Sequence, residues 1–269
     1  MVRFPNCKIN IGLHIASKRE DGYHNLQTIF YPIAIRDTVE IIVSQNNAPV
    51  SYSHSGINIF SREENNLCIK AYHLLKKNFS QLPPVAIHLH KTIPMGAGLG
   101  GGSADASFVL MMLNEMFELN LSKQQLLDYS LELGSDCPFF IVNKPSYATG
   151  RGEILEPVNL NLSSYKIVIV NPGIHVNTGM AFKHIRVGEH TGDLRKLITL
   201  PVEQWKDAIN NDFEKPVFEL HPAIEAIKTI LYQKGALYAA MSGSGSTVFG
   251  IFEKEIPLSF PSAHFVQWV

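Results

Sequence analysis

Apolar side chains alternate with polar ones along several stretches of the first half of the chain, which is the pattern of β-strands. In the longest stretch, residues 4–17, isoleucine or leucine occupies the odd positions from 9 to 15, while Lys8, Asn10 and His14 share the opposite face. An Asp-Gly pair at positions 21–22 marks a hairpin turn after this strand. Further strands are predicted at residues 23–35, 39–43, 50–53 and 85–89.

Helices are predicted where apolar positions recur three and four residues apart behind a residue that can cap a helix. Asn65 or Asn66, Ser103 and Ser122 each stand at such a position. The predicted helices are residues 67–77, 104–117, 123–133, 202–209 and 223–232, and the later strands are residues 166–170, 237–240, 247–252 and 263–268. A glycine-punctuated turn at residues 148–153 indicates a boundary between two domains, residues 1–152 and 153–269.

Composition narrows the classes of function. A chain of 269 residues can bury a substantial core, and its formal net charge of −1 gives no general attraction to nucleic acid or to an anionic membrane. Its three cysteines are odd in number and share no Cys-x-x-Cys spacing, which disfavours disulfides and fits a reducing compartment. No run of residues is apolar enough for a membrane span or a signal peptide. We therefore expect a cytoplasmic protein with neither nucleic acid nor membrane as a partner.

The segment that carries the most chemical information is residues 94–105, Pro-Met-Gly-Ala-Gly-Leu-Gly-Gly-Gly-Ser-Ala-Asp. Five of the seven positions from 96 to 102 are glycine, and the segment joins a predicted strand to a predicted helix. Glycine accepts a positive φ and lets a ligand approach the bare backbone. The N-terminus of a helix attracts anions through its free N–H groups and its dipole. The segment, which we call the glycine loop, is therefore predicted to bind a nucleotide phosphate.

Three other interpretations of the glycine loop fit less well. A Walker A loop has the spacing of residues 96–103, but Gly102 occupies the position of its lysine. A dinucleotide fingerprint matches Gly96, Gly98 and Gly101, yet it needs an acidic residue at the end of the next strand, and the nearest candidate, Glu118, closes a helix. A flexible linker is rarely placed between a strand and a capped helix.

Four further features have both a structural and a functional interpretation. Lys8 is either a solvated surface charge or a functional ammonium group in an apolar strand. Asp136, between Gly134 and Pro138, either stabilises a turn or provides a reactive carboxylate. His88 and His90 share one strand face, but no third metal ligand accompanies them. Residues 241–246, Met-Ser-Gly-Ser-Gly-Ser, form either a tight hairpin turn or a second binding loop.

The glycine loop resembles the pattern Pro-x-x-x-Gly-Leu-Gly-Ser/Gly-Ser-Ala of the GHMP kinases. Residues 5–10, 19–28 and 241–245 resemble other segments of that family in the same order and spacing. Within it, Asp-Gly-Tyr-His at 21–24 and Leu-Gly-Ser-Asp-Cys-Pro-Phe-Phe at 133–140 resemble the 4-diphosphocytidyl-2-C-methyl-D-erythritol kinases. Residues 171–173 and 211–214 agree with that subfamily, so the resemblance extends over nearly the whole chain.

The resemblance implies transfer of the γ-phosphoryl group of ATP, with Mg²⁺, to the 2-hydroxyl of a cytidine-diphosphate-linked methylerythritol, a step of the non-mevalonate isoprenoid route. It also implies an α+β fold, a two-layer α/β arrangement known as the GHMP kinase fold, with two domains and the active site in the cleft between them. We expect a monomer or a weak homodimer. Two alternatives stay open: a GHMP kinase for homoserine or mevalonate, and a non-catalytic nucleotide-binding regulator, which would be expected to lose Lys8 or Asp136.

The resemblance also assigns roles to residues. Asp136 would accept the proton of the substrate hydroxyl, and Lys8 would pair with it and offset charge on the moving phosphoryl group. ATP would be bound by Pro94, Gly96, Gly98, Leu99, Gly100, Gly101, Gly102, Ser103, Ser242, Gly243, Ser244 and Gly245, with Ser103 also a ligand of Mg²⁺. The substrate would be bound by Asn10, Tyr23, His24, Phe30 and Phe182, with His24 reading the edge of the cytosine.

Two positions depart from the family pattern. Many members have alanine where this chain has Cys7, a small change that the site should tolerate. Residues 103–106 are Ser-Ala-Asp-Ala, where relatives often have Ser-Ser-Asn-Ala, and this difference concerns a second contact on the metal side.

Overall fold

The computed structural model describes residues 1–45, 48–59, 65–183, 185 and 192–269, without the side chains of residues 178, 180 and 183. The chain forms two compact units, each assembled from separate segments. The first unit contains residues 1–7, 34–95 and 100–143, and the second contains residues 8–33, 96–99 and 144–269. Both units combine helices with sheets, so the predicted mixed class is confirmed. This division follows packing and not chain order, and the predicted domains 1–152 and 153–269 stay a prediction.

The predicted strands and helices occur in the predicted order, together with shorter elements that were not predicted. The strands are β1 (Val2–Arg3), β2 (Asn6–Lys18), β3 (His24–Arg36), β4 (Thr38–Val43), β5 (Val50–Gly56), β6 (Val85–Lys91), β7 (Ser146–Thr149), β8 (Ile154–Pro157), β9 (Lys166–Asn171), β10 (Tyr238–Met241), β11 (Val248–Phe252) and β12 (Phe265–Trp268). The helices are α1 (Leu67–Asn78), α2 (Gly101–Met116), α3 (Lys123–Leu133), α4 (Cys137–Val142), α5 (Thr178–Lys183), α6 (Leu194–Leu197), α7 (Trp205–Ala208), α8 (Glu214–Leu220) and α9 (Pro222–Gln233). None of the helices in these described ranges is long and apolar enough to span a membrane.

The first unit is a four-stranded sheet covered on one face by helices. Its strand order is β1-β4-β6-β5, in which β5 runs parallel to β6 and the other pairs are antiparallel. Ile41 and Ile87 of the sheet belong to the same buried cluster as Leu75 of α1 and Leu113 of α2. The core therefore lies between the sheet and the helix that follows the glycine loop.

Two of the predicted helix caps are confirmed in this unit. The side chain of Asn66 accepts the N–H of Cys68 at the start of α1. Ser122 begins α3 with a capping box, in which Ser122 and Gln125 satisfy each other's backbone N–H groups. Both helices therefore begin where the sequence predicts.

The second unit contains two sheets. The order β10-β11-β9-β12 is antiparallel throughout, and Val168 and Val248 of this sheet share a buried cluster with Ile227 and Leu231 of α9. The other sheet has the order β2-β3-β7-β8, and most of β2 and β3 belongs to this unit.

Helix α8 is an element that the sequence analysis missed. It begins at Glu214 and has proline as its third residue, Pro216. Proline inside an apolar pattern argues against a helix, but in the first turn its missing N–H is not needed. The proline therefore lies where a helix tolerates it.

A buried charge network holds the first turn of α2 in the first unit. The ammonium of Lys91 donates to both Asp37 and Asp105, and Asp37 also accepts the N–H groups of Thr92 and Ile93 at 2.6 and 2.9 Å. Burial raises the pKa of Asp105 to about 7, against the opposing effect of the Lys91 ammonium. The network ties the end of β6 to the helix that follows the glycine loop.

The raised pKa of Asp105 predicts a stability that depends on pH. The folded state keeps a proton that the unfolded state releases above its ordinary pKa of 3.8, so this contribution is present below that value and is lost as the pH rises toward 7. We expect the free energy of unfolding of the wild type, measured relative to Asp105→Asn, to fall by up to about 1 kcal/mol per pH unit in this window and to level off above it. Denaturant titrations from pH 5 to 8 measure this difference. Parallel curves for the two proteins would contradict it.

Candidate active site

The glycine loop takes the backbone that its composition predicts. Gly96, Gly98 and Gly100 have φ values of 59°, 76° and 70°, a region that favours glycine. The prediction that Ser103 caps the following helix is wrong. Gly100 occupies the N-cap position in the left-handed conformation, and α2 begins at Gly101, so Ser103 is the third residue of the helix. The predicted start at residue 104 was too late, because the low helix propensity of glycine disfavoured a helix over residues 101 and 102.

The start of α2 fits a phosphate group. The N–H of Ala104 donates to Gly100 at 2.9 Å, so the N–H groups of Gly101, Gly102 and Ser103 precede this first bond of the helix. A Cβ atom added at Gly102 would meet no atom of the described residues within 4 Å. Three consecutive amides without a long side chain at the positive end of a helix dipole are suited to an anion. The hydroxyl of Ser103 in the same turn is an oxygen ligand of the kind that Mg²⁺ accepts.

Asp136 lies in the first unit, in the turn between α3 and α4. It is half-buried and occupies the N-cap position of α4, but among the described contacts its side chain makes no capping hydrogen bond. Helix capping, the usual structural role of aspartate at such a position, does not explain this residue.

The turn that carries Asp136 is fixed to the first turn of α2. The hydroxyl of Ser107 lies 2.8 Å from the carbonyl oxygen of Ser103 and 2.9 Å from that of Cys137. Because a hydroxyl has one proton, it is shared between the two carbonyls. Burial raises the pKa of the Cys137 thiol to about 11, so it stays protonated at neutral pH beside Asp136. The first unit therefore brings together Ser103 and the backbone of Asp136, two of the predicted site residues.

Within the second unit, the front of the glycine loop packs against residues 242–245, which we call the serine-glycine loop. The hydroxyl of Ser242 donates to the carbonyl oxygen of Gly98 at 2.8 Å. A Cβ atom on Gly98 would lie 2.0 Å from the carbonyl oxygen of Ser242, and one on Gly243 would lie 3.3 Å from the Cα of Gly98. The N–H of Thr247 donates to Ala97 at 3.2 Å. The segment that connects β10 to β11 is thus not only a turn but also packs closely against the backbone of the glycine loop.

Lys8 is not a surface residue. Its side chain is 3% exposed, its Nζ lies 2.5 Å from Oδ1 of Asn10, and it sits 4.8 Å from the centre of the Phe30 ring. Its backbone N–H donates to the carbonyl oxygen of Leu99 at 2.9 Å. An amide oxygen accepts a hydrogen bond from an ammonium group and the face of an aromatic ring attracts one, so these two contacts orient the side chain of Lys8.

Asn10 and Thr28 support Lys8. Nδ2 of Asn10 donates to the hydroxyl of Thr28 at 3.0 Å, and that hydroxyl donates to Gly12 at 2.5 Å. The sequence analysis did not single out Thr28, although it is the last residue of the 19–28 segment that resembles the family. Of the predicted substrate residues, Asn10 and Phe30 therefore lie against Lys8.

Of the other predicted substrate residues, His24 and Phe182 belong to one aromatic group. His24 stacks on Phe182 with ring centres 4.6 Å apart and an angle of 13°, and Phe182 meets Phe213 edge to face at 4.8 Å. Tyr23 is 56% exposed, with the guanidinium of Arg151 5.0 Å from its ring centre. Burial, assisted by the positive charge of Lys18, lowers the pKa of His24, which favours the neutral imidazole.

His88 and His90 have serine partners in the structure. Ser53 lies 2.8 Å from His88, and Ser55 lies 2.9 Å from both histidines, on the neighbouring strand β5. Among the described residues, no cluster of three or more histidine, cysteine, aspartate or glutamate side chains could hold a metal ion. These contacts account for the two histidines as polar cross-strand pairs.

Comparison with known proteins gives the chain its family. The family described as GHMP kinases N terminal domain matches residues 66–144, and GHMP kinases C terminal matches residues 194–258. The 4-diphosphocytidyl-2-C-methyl-D-erythritol kinase of Bacteroides fragilis is 52% identical over 256 residues, which are 95% of this chain and 93% of that protein.

Solved structures agree with this assignment. The crystal structure of a 4-(cytidine 5'-diphospho)-2C-methyl-D-erythritol kinase is 32% identical, has a TM-score of 0.76 and covers 93% of this chain and 90% of its own. The mevalonate kinase of Methanococcus jannaschii has a TM-score of 0.70 at 14% identity, covers 94% of this chain and 90% of its own, and shows the fold alone. The predicted family, fold and kinase class are confirmed. The N-terminal and C-terminal matches together cover more than half of the chain, so the chain belongs to the GHMP kinases.

Proposed function

We propose that the protein phosphorylates the 2-hydroxyl of 4-diphosphocytidyl-2-C-methyl-D-erythritol with ATP, in the non-mevalonate route to isoprenoid precursors. The observation that carries the proposal is the 52% identity, over nearly the whole chain, to a relative of that name. The mevalonate kinase structure shares 14% of its residues and supports no substrate assignment.

The residues present fit ATP and Mg²⁺. The amides of Gly101, Gly102 and Ser103 at the start of α2 would hold phosphate oxygens, and the hydroxyl of Ser103 would be a ligand of the metal. When bound, Mg²⁺ supplies positive charge that neutralises the phosphate oxygens. The serine-glycine loop would cover the phosphates with backbone, since its side chains are small.

Asp136 and Lys8 would carry the chemistry. The carboxylate of Asp136 would accept the proton of the acceptor hydroxyl, whose oxygen bonds to the γ-phosphorus as the bond to the ADP oxygen breaks. The ammonium of Lys8 would offset negative charge on the transferred group. Lys8 and Asp136 belong to different units, and their pairing stays a prediction.

The cytidine group of the acceptor explains the aromatic group around His24. A neutral imidazole has one donor and one acceptor, and the edge of cytosine offers both kinds of partner. Phe182 would present a flat apolar face to the base, and Tyr23, the residue before His24 in the chain, would also line it. Mevalonate and homoserine have no base for these rings to bind, so this group favours a nucleotide-linked acceptor.

An assay of ADP release tests the proposal. With Mg²⁺ and ATP present, we expect turnover of the cytidine-linked acceptor and little or none of its uridine counterpart, mevalonate or homoserine. His24→Ala should raise KM for the cytidine-linked acceptor and leave KM for ATP near its wild-type value. Turnover of mevalonate or homoserine alone would replace the proposed acceptor. ATP binding without turnover of any acceptor would favour a regulator.

A further inference from the structure

The segment Asn-Asp-Phe-Glu at residues 211–214 holds the serine-glycine loop from outside. Asn211 is 3% exposed, and its Nδ2 donates to the carbonyl oxygens of Met241 at 2.7 Å and Gly243 at 2.8 Å. Its Oδ1 accepts the N–H of Phe213 at 2.9 Å. Both donors of the amide are thus used on the two residues that flank Ser242.

Glu214 also binds Met241, through the backbone N–H group of that residue. Its Oε1 accepts the N–H of Met241 at 2.8 Å, and its Oε2 accepts the ammonium of Lys228 at 2.6 Å. Met241 ends β10, the outer strand of its sheet, so its outward N–H and C=O meet no neighbouring strand in the described part of the chain. Asn211 and Glu214 take the place of that strand and fix the direction in which the chain leaves β10.

The position of Ser242 is transmitted to the proposed catalytic lysine. Its hydroxyl accepts the N–H of Asn10 at 3.1 Å and donates to Gly98 at 2.8 Å. Oδ1 of Asn10 in turn accepts the Lys8 ammonium at 2.5 Å. A shift of Ser242 therefore displaces the backbone of the glycine loop and the support of Lys8 together.

We propose that Asn211 and Glu214 are positioning residues for phosphoryl transfer, which set the serine-glycine loop and, through Ser242, the glycine loop and Lys8. The proposal rests on the proposed function of these two loops as the site of ATP. Neither residue needs to touch the nucleotide. Asn211 and Glu214 would act by fixing the positions of other groups, and a displacement of catalytic groups by about 1 Å can lower the rate 100-fold.

Asn211→Asp is the sharpest variant, because it keeps the size of the side chain but replaces the NH2 group that donates to two carbonyl oxygens with a carboxylate oxygen, which repels them. We expect its Kd for ATP, measured by titration without any acceptor, to rise about tenfold and kcat to fall at least as much. KM for the acceptor should stay within threefold. Leu231→Ala, which truncates a buried side chain of α9, is the control, since it removes stability at a residue outside both loops and should keep the wild-type Kd for ATP.

A second pair of variants covers the case in which Asn211→Asp fails to fold. Glu214→Gln retains an oxygen for the N–H of Met241 and should keep Kd for ATP within threefold, while Glu214→Ala should raise it about tenfold. Wild-type Kd and kcat in Asn211→Asp, or in Glu214→Ala, would overturn the proposal. So would an equal rise in Kd in Leu231→Ala, because it would trace the effect to stability alone. A wild-type enzyme that binds ATP but turns over no acceptor would refute the proposed acceptor and leave this comparison of Kd values intact.

Discussion

Asp136→Asn is expected to lower kcat about 100-fold or more while the affinity for ATP changes little. The amide has the shape of the carboxylate but cannot take the proton of the acceptor hydroxyl. The backbone of the turn should persist, because the hydroxyl of Ser107 holds the carbonyl oxygen of Cys137 at 2.9 Å and the substitution does not change this contact. Steady-state rates with saturating ATP and acceptor, together with ATP titrations, measure both quantities.

Asp128→Asn is a matched control for this experiment. Asp128 lies on the exposed side of α3, where it accepts a hydrogen bond from Gln124 at 2.9 Å, and the same chemical change there should leave kcat unaltered. Turnover at the wild-type rate in Asp136→Asn would exclude the role of general base. A parallel loss of ATP affinity would instead assign Asp136 to the binding of the nucleotide.

Gly98→Ala is expected to reduce ATP affinity at least tenfold and to destabilise the fold by several kcal/mol. Two effects combine, since an alanine at a φ of 76° costs about 1–2 kcal/mol, and its Cβ would lie 2.0 Å from the carbonyl oxygen of Ser242. That oxygen is part of the backbone and cannot turn aside, so the two loops must separate. Denaturant titrations give the stability, and ATP titrations give the affinity.

Gly235→Ala separates these two effects. Gly235 also has a positive φ, 92°, but within 4 Å a Cβ atom there would meet nothing that the structure describes. This variant should lose about 1–2 kcal/mol through conformation alone and keep its affinity for ATP. Equal losses of stability in the two variants, with wild-type ATP affinity in Gly98→Ala, would show that the close approach of the loops has no energetic weight.

The elements that the sequence predicts best are those whose determinants are local. Asn66 and Ser122 cap their helices through bonds to residues two and three positions away, so the start of each helix can be inferred from a few neighbours. The start of α2 could not be inferred in this way. It depends on a left-handed Gly100, and the sequence shows only that glycine permits such a backbone.

The candidate site was predicted less evenly for a similar reason. Burial of β2 is continuous from Asn6 to Ile15, so alternation alone could not decide whether Lys8 faces water or the interior. The hydrogen bonds that Asn211 donates reach residues 30 and 32 positions further along the chain, so no local sequence pattern predicts them. The family resemblance indicated residues 211–214 without a role, which only the three-dimensional contacts suggest.

The outer strand β10 has a further consequence for how the chain meets other chains. The open side of an edge strand is a template on which a second molecule can add a strand and begin to aggregate. Here the outward carbonyl of Ala239 accepts the hydroxyl of Tyr232 at 3.1 Å, and both outward groups of Met241 are occupied by Glu214 and Asn211. A strand that docked on this edge would have to displace the buried carboxylate of Glu214 from its partners. The contacts that hold the serine-glycine loop therefore also disfavour association of this sheet with a second copy.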